Sequence, residues 1–300
     1  MSGMIDSPYA EQLARIPVSE HRTDVDGTDT AWWEYGQADA PELVLVHGFR
    51  GDHHGLEPVV AQLPGFRILS PDLPGFGSSA VFADRPHDIE AYADWLGAFI
   101  TAAGIHGPYT LLGHSFGSII AANAVARGLA PERLVLVNPI GAPALEGPRG
   151  VMTRLAVLYY RAAAALPERA GFALLRNGAI VRVMSVTMAK TRSKPLRRWI
   201  HDQHDRYFSA FGDRDAVLEA FRASVGNDVS EVAADIHVPT LLVAAERDDV
   251  TPLDAQRRLV TLFPDATLEV IPEVGHLIHY ETPGDAAARI LRFLRSGANA

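Results

Sequence analysis

Cysteine is absent from all 300 residues, which excludes disulfides, thiol nucleophiles and metal sites built on thiolates. A surplus of positive charge is missing as well: 27 Lys and Arg stand against 36 Asp and Glu, a net charge of −9. Phosphate backbones are bound by the opposite balance, so nucleic acid is not an expected partner. Nor does any run approach the ~20 apolar residues of a membrane span. The first residues, MSGMIDSPYAEQLARIP, lack the basic start and apolar core of a secretory leader. The expectation is a cytoplasmic protein that is not transmembrane. What the chain does have is apolar residues, 48% of the total, enough for one large core or for a core carrying a sizeable insertion.

Those residues fall into short runs. ELVLVHG (42–48), FRILSPDLPG (66–75), YTLLGHS (109–115), RLVLVNP (133–139), TLLVAAE (240–246) and TLEVIP (267–272) are rich in Leu, Val and Ile, mostly without polar alternation. Such runs suit parallel strands buried on both faces. An earlier run, TDTAWWEYG, follows Asp26-Gly27 and reads as one arm of a hairpin, with Trp32 and Trp33 as packing residues. Helical patterns lie between the later runs, near 54–62, 87–103, 116–127, 254–263 and 283–295. Alternating strands and helices predict an α/β fold with a mostly parallel, doubly wound sheet. From 141 to 235 the alternation stops and four helix-like patterns succeed one another, opened by the loop-like GAPALEGPRG. The expected organisation is a core formed by 1–140 and 236–300, with 141–235 inserted as an all-helical cap.

The stretch LLGHSFGSII places Ser115 between Gly113 and Gly117, at the point where a strand pattern gives way to a helix pattern. A plain Gly-Ser turn would explain the composition. A strand-to-helix corner too sharp for Cβ atoms explains the order of elements too, and it exposes a serine hydroxyl at a helix N-terminus, where a developing anion is favoured. A serine hydroxyl is a weak nucleophile and needs a base and an orienting acid. RDDVTP after one strand offers Asp248 or Asp249, and EVGHLIHYETP after the next offers His276.

HGF (His47 to Phe49), DLPGFGSS (Asp72 to Ser79), GHSFG, and the late pair AERDDVTP and GHLIHYETP together resemble the α/β-hydrolase superfamily, in its capped, esterase- and lipase-like serine hydrolase branch. The resemblance implies a triad of Ser115, His276 and Asp248. The family spacing G-x-x-D-x-x-x-P, here Ala245 to Pro252 with alanine for the usual glycine, selects Asp248 and leaves Asp249 in reserve. It implies an oxyanion hole from the backbone N–H groups of Phe49 and Phe116, supported by His47, Gly48, Gly113 and Gly117. No cofactor is implied. The expected activity is hydrolysis of a small hydrophobic carboxylic ester or thioester through an acyl-enzyme. One alternative is carbon–carbon bond hydrolysis of a diketone-type ring-cleavage product. Members with that chemistry usually carry Asn before the nucleophile and Trp after the catalytic histidine, where this chain has His114 and Leu277. A ligand receptor on the same fold is the other alternative.

Several residues tempt a different reading. His47, His53 and His54 crowd Asp52, but no ligand set at a recognised spacing recurs elsewhere, and no metal is expected. The histidines of HDQHD (201–205) read as a solvated helix face, and His279 as a structural or rim residue. Charge is the least expected feature: from 141 to 200, eleven Lys and Arg face only Glu146 and Glu168, which leaves −18 on the remainder. The excess reads either as solvated or internally paired arginines or as a contact for an anionic lipid surface or an acyl carrier as partner.

Overall fold

The computed structural model describes residues 5–142 and 150–296. Most of the stretch GAPALEGPRG, residues 143–149, therefore lies outside the described residues. The strands are β1 (Val18–Val25), β2 (Thr28–Tyr35), β3 (Glu42–Val46), β4 (Arg67–Pro71), β5 (Tyr109–His114), β6 (Arg133–Val137), β7 (Thr240–Ala245) and β8 (Ala266–Ile271). The helices are α1 (Ala10–Leu13), α2 (His53–Val60), α3 (Ile89–Ala102), α4 (Phe116–Ala126), α5 (Gly150–Ala165), α6 (Glu168–Leu175), α7 (Gly178–Met188), α8 (Lys194–Tyr207), α9 (Arg214–Gly226), α10 (Leu253–Val260), α11 (Ile278–Glu281) and α12 (Pro283–Ser296).

One sheet takes all eight strands in the order β1-β2-β4-β3-β5-β6-β7-β8. β1 and β2 form an antiparallel hairpin, β2 runs antiparallel to β4, and every later neighbour is parallel. The hairpin turns on Asp26 (φ 48°) and Gly27 (φ 80°) between the paired Val25 and Thr28. Two positive φ values in a two-residue loop match the right-handed twist of the flanking strands. The reversal of strand order around β3 and β5 makes the sheet doubly wound, with the crevice at the carboxyl ends of the parallel strands.

Alternate residues of the central strands serve opposite faces, because side chains in a strand alternate. Val44, Val46, Leu111, Leu134, Leu136 and Leu242 join the cluster that contains α3 and α4. Leu43, Leu45, Leu112, Val135, Leu241 and Val243 face α2 and α12. All twelve are buried, so each strand reads as an unbroken apolar run rather than an alternating one.

Between β6 and β7 the described residues contain five helices, α5 to α9, where the sequence pattern suggests four. The difference arises at Pro167, which opens α6 and cannot continue α5, and at Asn177, whose side chain accepts from Ala179 and Ile180 N–H to start α7. Ser193 and Asp213 cap α8 and α9 in the same way. Two 3₁₀ turns, Val229–Glu231 and Ala233–Asp235, then lead back to the sheet.

Candidate active site

β5 ends at His114 and α4 begins at Phe116, so Ser115 alone makes the corner. Its φ of 54° and ψ of −116° lie where side chains are rarely found, a strain of order ~1–3 kcal/mol that the surroundings must impose. They do so through the backbone: Ser115 N–H donates to Val137 O at 3.0 Å, and Ser118 N–H to Ser115 O at 2.9 Å. The two motif glycines make the corner sterically feasible. A Cβ on Gly113 would meet Gly117 O at 2.3 Å, and one on Gly117 would meet Val46 O at 2.2 Å.

The loops after β7 and β8 bring the other two residues to this corner. Ser115 Oγ lies 2.8 Å from His276 Nε2, and His276 Nδ1 lies 2.8 Å from Asp248 Oδ2. With the Nδ1 proton donated to the carboxylate, Nε2 is left to accept from the serine hydroxyl. Asp248 is fully engaged: Oδ1 accepts from Val250 and Thr251 N–H, and Oδ2 also accepts from the Thr251 hydroxyl at 2.6 Å. Burial pushes its pKa up, but His276 and the Thr251 bonds outweigh that and hold it below the ordinary carboxylate value. Asp249, one residue on, is half exposed and pairs with Lys190 of the inserted segment.

Asn138 organises both loops and carries no sequence signature. It is fully buried at the end of β6, with φ 46°. Its side-chain amide donates to His276 O at 2.8 Å and its side-chain oxygen accepts from Ala245 N–H at 3.0 Å. Two more imidazoles, His114 and His279, meet edge to face with centroids 4.2 Å apart, and the His114 ring lies 5.5 Å from that of His276. Burial, with His276 adding to it, lowers His114 to about 3, and His279 is likewise held well below the ordinary range. Both therefore stay neutral near pH 7.

On the opposite side of Ser115, His47 Nε2 accepts from Leu73 N–H at 2.8 Å while Nδ1 donates to Gly48 O at 2.9 Å. This fixes the peptide leading to Phe49. A Cβ on Gly48 would lie 3.4 Å from Ser115 Cβ, so the loop runs directly against the serine. Phe116 N–H belongs to the first turn of α4, where backbone donors have no intrahelical acceptor. The Phe49 ring meets Phe76, Phe116, Tyr160 and Phe221, mostly edge to face, with centroids 5.8 to 6.1 Å apart.

Arg50, the next residue, is 1% exposed and has φ 60°. Its guanidinium donates to Leu175 O at 2.8 Å, Phe208 O at 2.9 Å, and the Tyr160 and Ser209 hydroxyls at 3.3 Å. It also lies 4.6 Å from the Phe208 ring centre. Among the described residues it forms no ion pair. The loop beside the serine is thereby bolted to the ends of α6 and α8 and to α5. Sequence reasoning passed over Arg50, and an arginine directly after the His-Gly-Phe turn is the signal that was available.

Asp52, His53 and His54 have potential ligand atoms within 4.8 Å of one another. Their bonding is internal, however: His53 Nδ1 pairs with buried Asp72 at 2.9 Å, and Asp52 caps α2 through His54 N–H. The rings of His53 and His54 stack on Trp33 and Tyr207. The HDQHD histidines are not a solvated face. His201 and His204 are buried and share the Ser185 hydroxyl, each at 2.6 Å, because α7 packs over that side of α8. A cleft of about 380 Å³ between α1, α2 and α8, lined by Tyr9, Leu13, Pro58 and Trp199, includes none of the Ser115, His276 and Asp248 set.

A doubly wound sheet carrying a serine at the β5–α4 corner, with acid and base on the loops after β7 and β8, defines a class of fold and site. Residues 43–290 match the model of the alpha/beta hydrolase family, and the chain belongs to that family. A 2-succinyl-6-hydroxy-2,4-cyclohexadiene-1-carboxylate synthase of Salmonella typhimurium is 28% identical over 269 residues, covering 86% of this chain and 96% of that one. Among solved structures, an esterase from Exiguobacterium antarcticum superposes with a TM-score of 0.75 at 18% identity, over 92% of this chain and all of its own. A bacterial membrane phospholipase A gives 0.74 at 23% identity, over 96% and 88%. At these identities the structural likenesses speak for the fold.

Proposed function

We propose that the protein is a serine hydrolase that cleaves a small hydrophobic carboxylic ester or thioester through an acyl-enzyme. The observation that carries this reading is the unbroken hydrogen-bond chain from Ser115 through His276 to Asp248. Ser115 Oγ attacks the carbonyl carbon as His276 Nε2 takes its proton, and Asp248 supports the imidazolium that forms. The Phe49 and Phe116 N–H groups receive the negative charge on the carbonyl oxygen. His276 then hands its proton to the departing alcohol or thiol, and water repeats the sequence to release the acid.

Residues 1–140 and 236–300 form the hydrolase core in this reading, and 141–235 act as a cap. Supporting that role, Tyr160 and Phe221 of the insertion stack at 3.8 Å beside Phe49, and Lys190 N–H donates to Glu281 of α11. The aromatic surroundings favour an apolar acyl group.

The test is turnover of a p-nitrophenyl ester series of increasing acyl length by wild type and Ser115→Ala. Repeated turnover by wild type, and a loss of at least ~10³-fold in the variant, is the expected result. A mass increment on Ser115 during turnover would mark the acyl-enzyme. Equal inertness of both proteins across oxygen and thiol esters would replace this reading with carbon–carbon hydrolysis or a ligand receptor.

A further inference from the structure

The proposed chemistry leaves unused the most lopsided part of the chain. Residues 150–200 hold ten Lys and Arg and one acid, Glu168. Arg154, Arg161, Arg169, Arg192, Arg197 and Arg198 are exposed. Side chains of opposite character stand among them. Leu155 and Leu158 on α5 are 54% and 59% exposed, and Val183 and Val186 on α7 are 61% and 55% exposed. Residues three apart share one helix face, so each helix turns an apolar pair outward, beside Arg154 and Arg161 on α5 and beside Arg182, which pairs with Asp205 of α8, on α7. The α5 stripe continues through exposed Ala162 and Ala165.

A single exposed leucine needs no explanation, but paired aliphatics on two helices of a strongly basic segment do. Apolar side chains rimmed by arginine are the composition of a helix that lies in a lipid interface.

We propose that the outward faces of α5 and α7 dock on an anionic lipid bilayer, with the four aliphatic side chains entering the headgroup boundary and the arginines meeting lipid phosphates. Charge complementarity selects this occupant and also orients it. The rest of the chain carries a large negative excess, which the same surface repels, so the basic helices lead. A soluble acidic protein would match the arginines, whereas aliphatic side chains more than half exposed are matched by acyl chains. The docking does not depend on the role assigned to Ser115.

The test is flotation of the full-length protein, as wild type and as Ser115→Ala, with vesicles of phosphatidylcholine alone or mixed with phosphatidylglycerol. Both forms are expected to float with the mixed vesicles only, and binding should fall about tenfold or more as salt rises from ~0.05 to ~0.5 M. Leu155→Ser/Leu158→Ser and Val183→Ser/Val186→Ser, each changing exposed side chains, should each lower the partition about tenfold with little change in melting temperature. Arg154→Gln/Arg161→Gln should flatten the salt dependence. Three results would overturn the proposal: no flotation with mixed vesicles, double variants that float like wild type, or a face whose substitution dissolves a dimer or abolishes binding to a purified acyl carrier protein while vesicles go unbound. Because Ser115→Ala is floated in parallel, failure of the ester assay and failure of docking are read separately.

Discussion

At the scale of single residues, the two adjacent acids after β7 show how little distance separates a buried, fully bonded position from an exposed one. Asp248 is buried and shares its Oδ2 between Thr251 and His276, whereas Asp249 reaches outward to Lys190. Asp248→Asn is expected to lower kcat about 10³- to 10⁴-fold, since the imidazole loses its tautomer and its counter-charge. Asp249→Asn should leave kcat within about threefold and stability within ~1 kcal/mol, the range of an exposed ion pair. Parallel ester kinetics and urea titrations of the two variants decide the assignment, and a reversed order would sink it. The pair of acids was legible in RDDVTP, and the choice of Asp248 within it came from the resemblance to the family spacing. Asn138 was not legible, because its role exists only where β6, β7 and the His276 loop converge, and no local pattern in RLVLVNP announces that.

Elements were legible in proportion to how far their pattern is set by their own residues. The parallel strands read as apolar runs because both faces are covered, and the hairpin turn read from Asp26-Gly27 because positive φ selects those residues. The inserted helices were harder. Their boundaries depend on single caps such as Asn177, and the burial of His201 and His204 depends on α7 lying across α8. Arg50 belongs to this scale too, since its partners are the ends of helices more than a hundred residues away. Arg50→Met is expected to cost about 2–4 kcal/mol, by leaving the Leu175 and Phe208 carbonyls unpaired. Under the hydrolase reading it should also lower kcat about 10- to 10²-fold, with a smaller change in KM, as the Phe49 N–H loses its fixed position. A variant that is destabilised but keeps full kcat would confine Arg50 to holding the helices.

For the whole molecule, the buried histidines set a pH limit. Burial lowers both His114 and His204 from 6.5 to about 3. The unfolded chain therefore binds protons below about pH 6.5 that the folded chain refuses. Stability is complete above that value and is lost as pH falls towards 3, by up to ~1.4 kcal/mol per pH unit for each histidine. Asp248, held below its ordinary value, adds to the loss at the acid end. His204→Gln should flatten the slope between pH 6 and 4 by about 1.4 kcal/mol per unit, measured by urea unfolding at several pH values. An unchanged slope would mean that His204 is protonated in the folded state.

The Arg50 bolt has a further consequence for traffic through the molecule. Its guanidinium is held by the same helix ends that must part if α5, α6 and α8 swing away from the serine. Parting them would strand a buried cation and slacken the loop that carries Phe49 N–H. Under the hydrolase reading, any parting of these helices and the position of the Phe49 N–H would therefore be coupled through a single guanidinium.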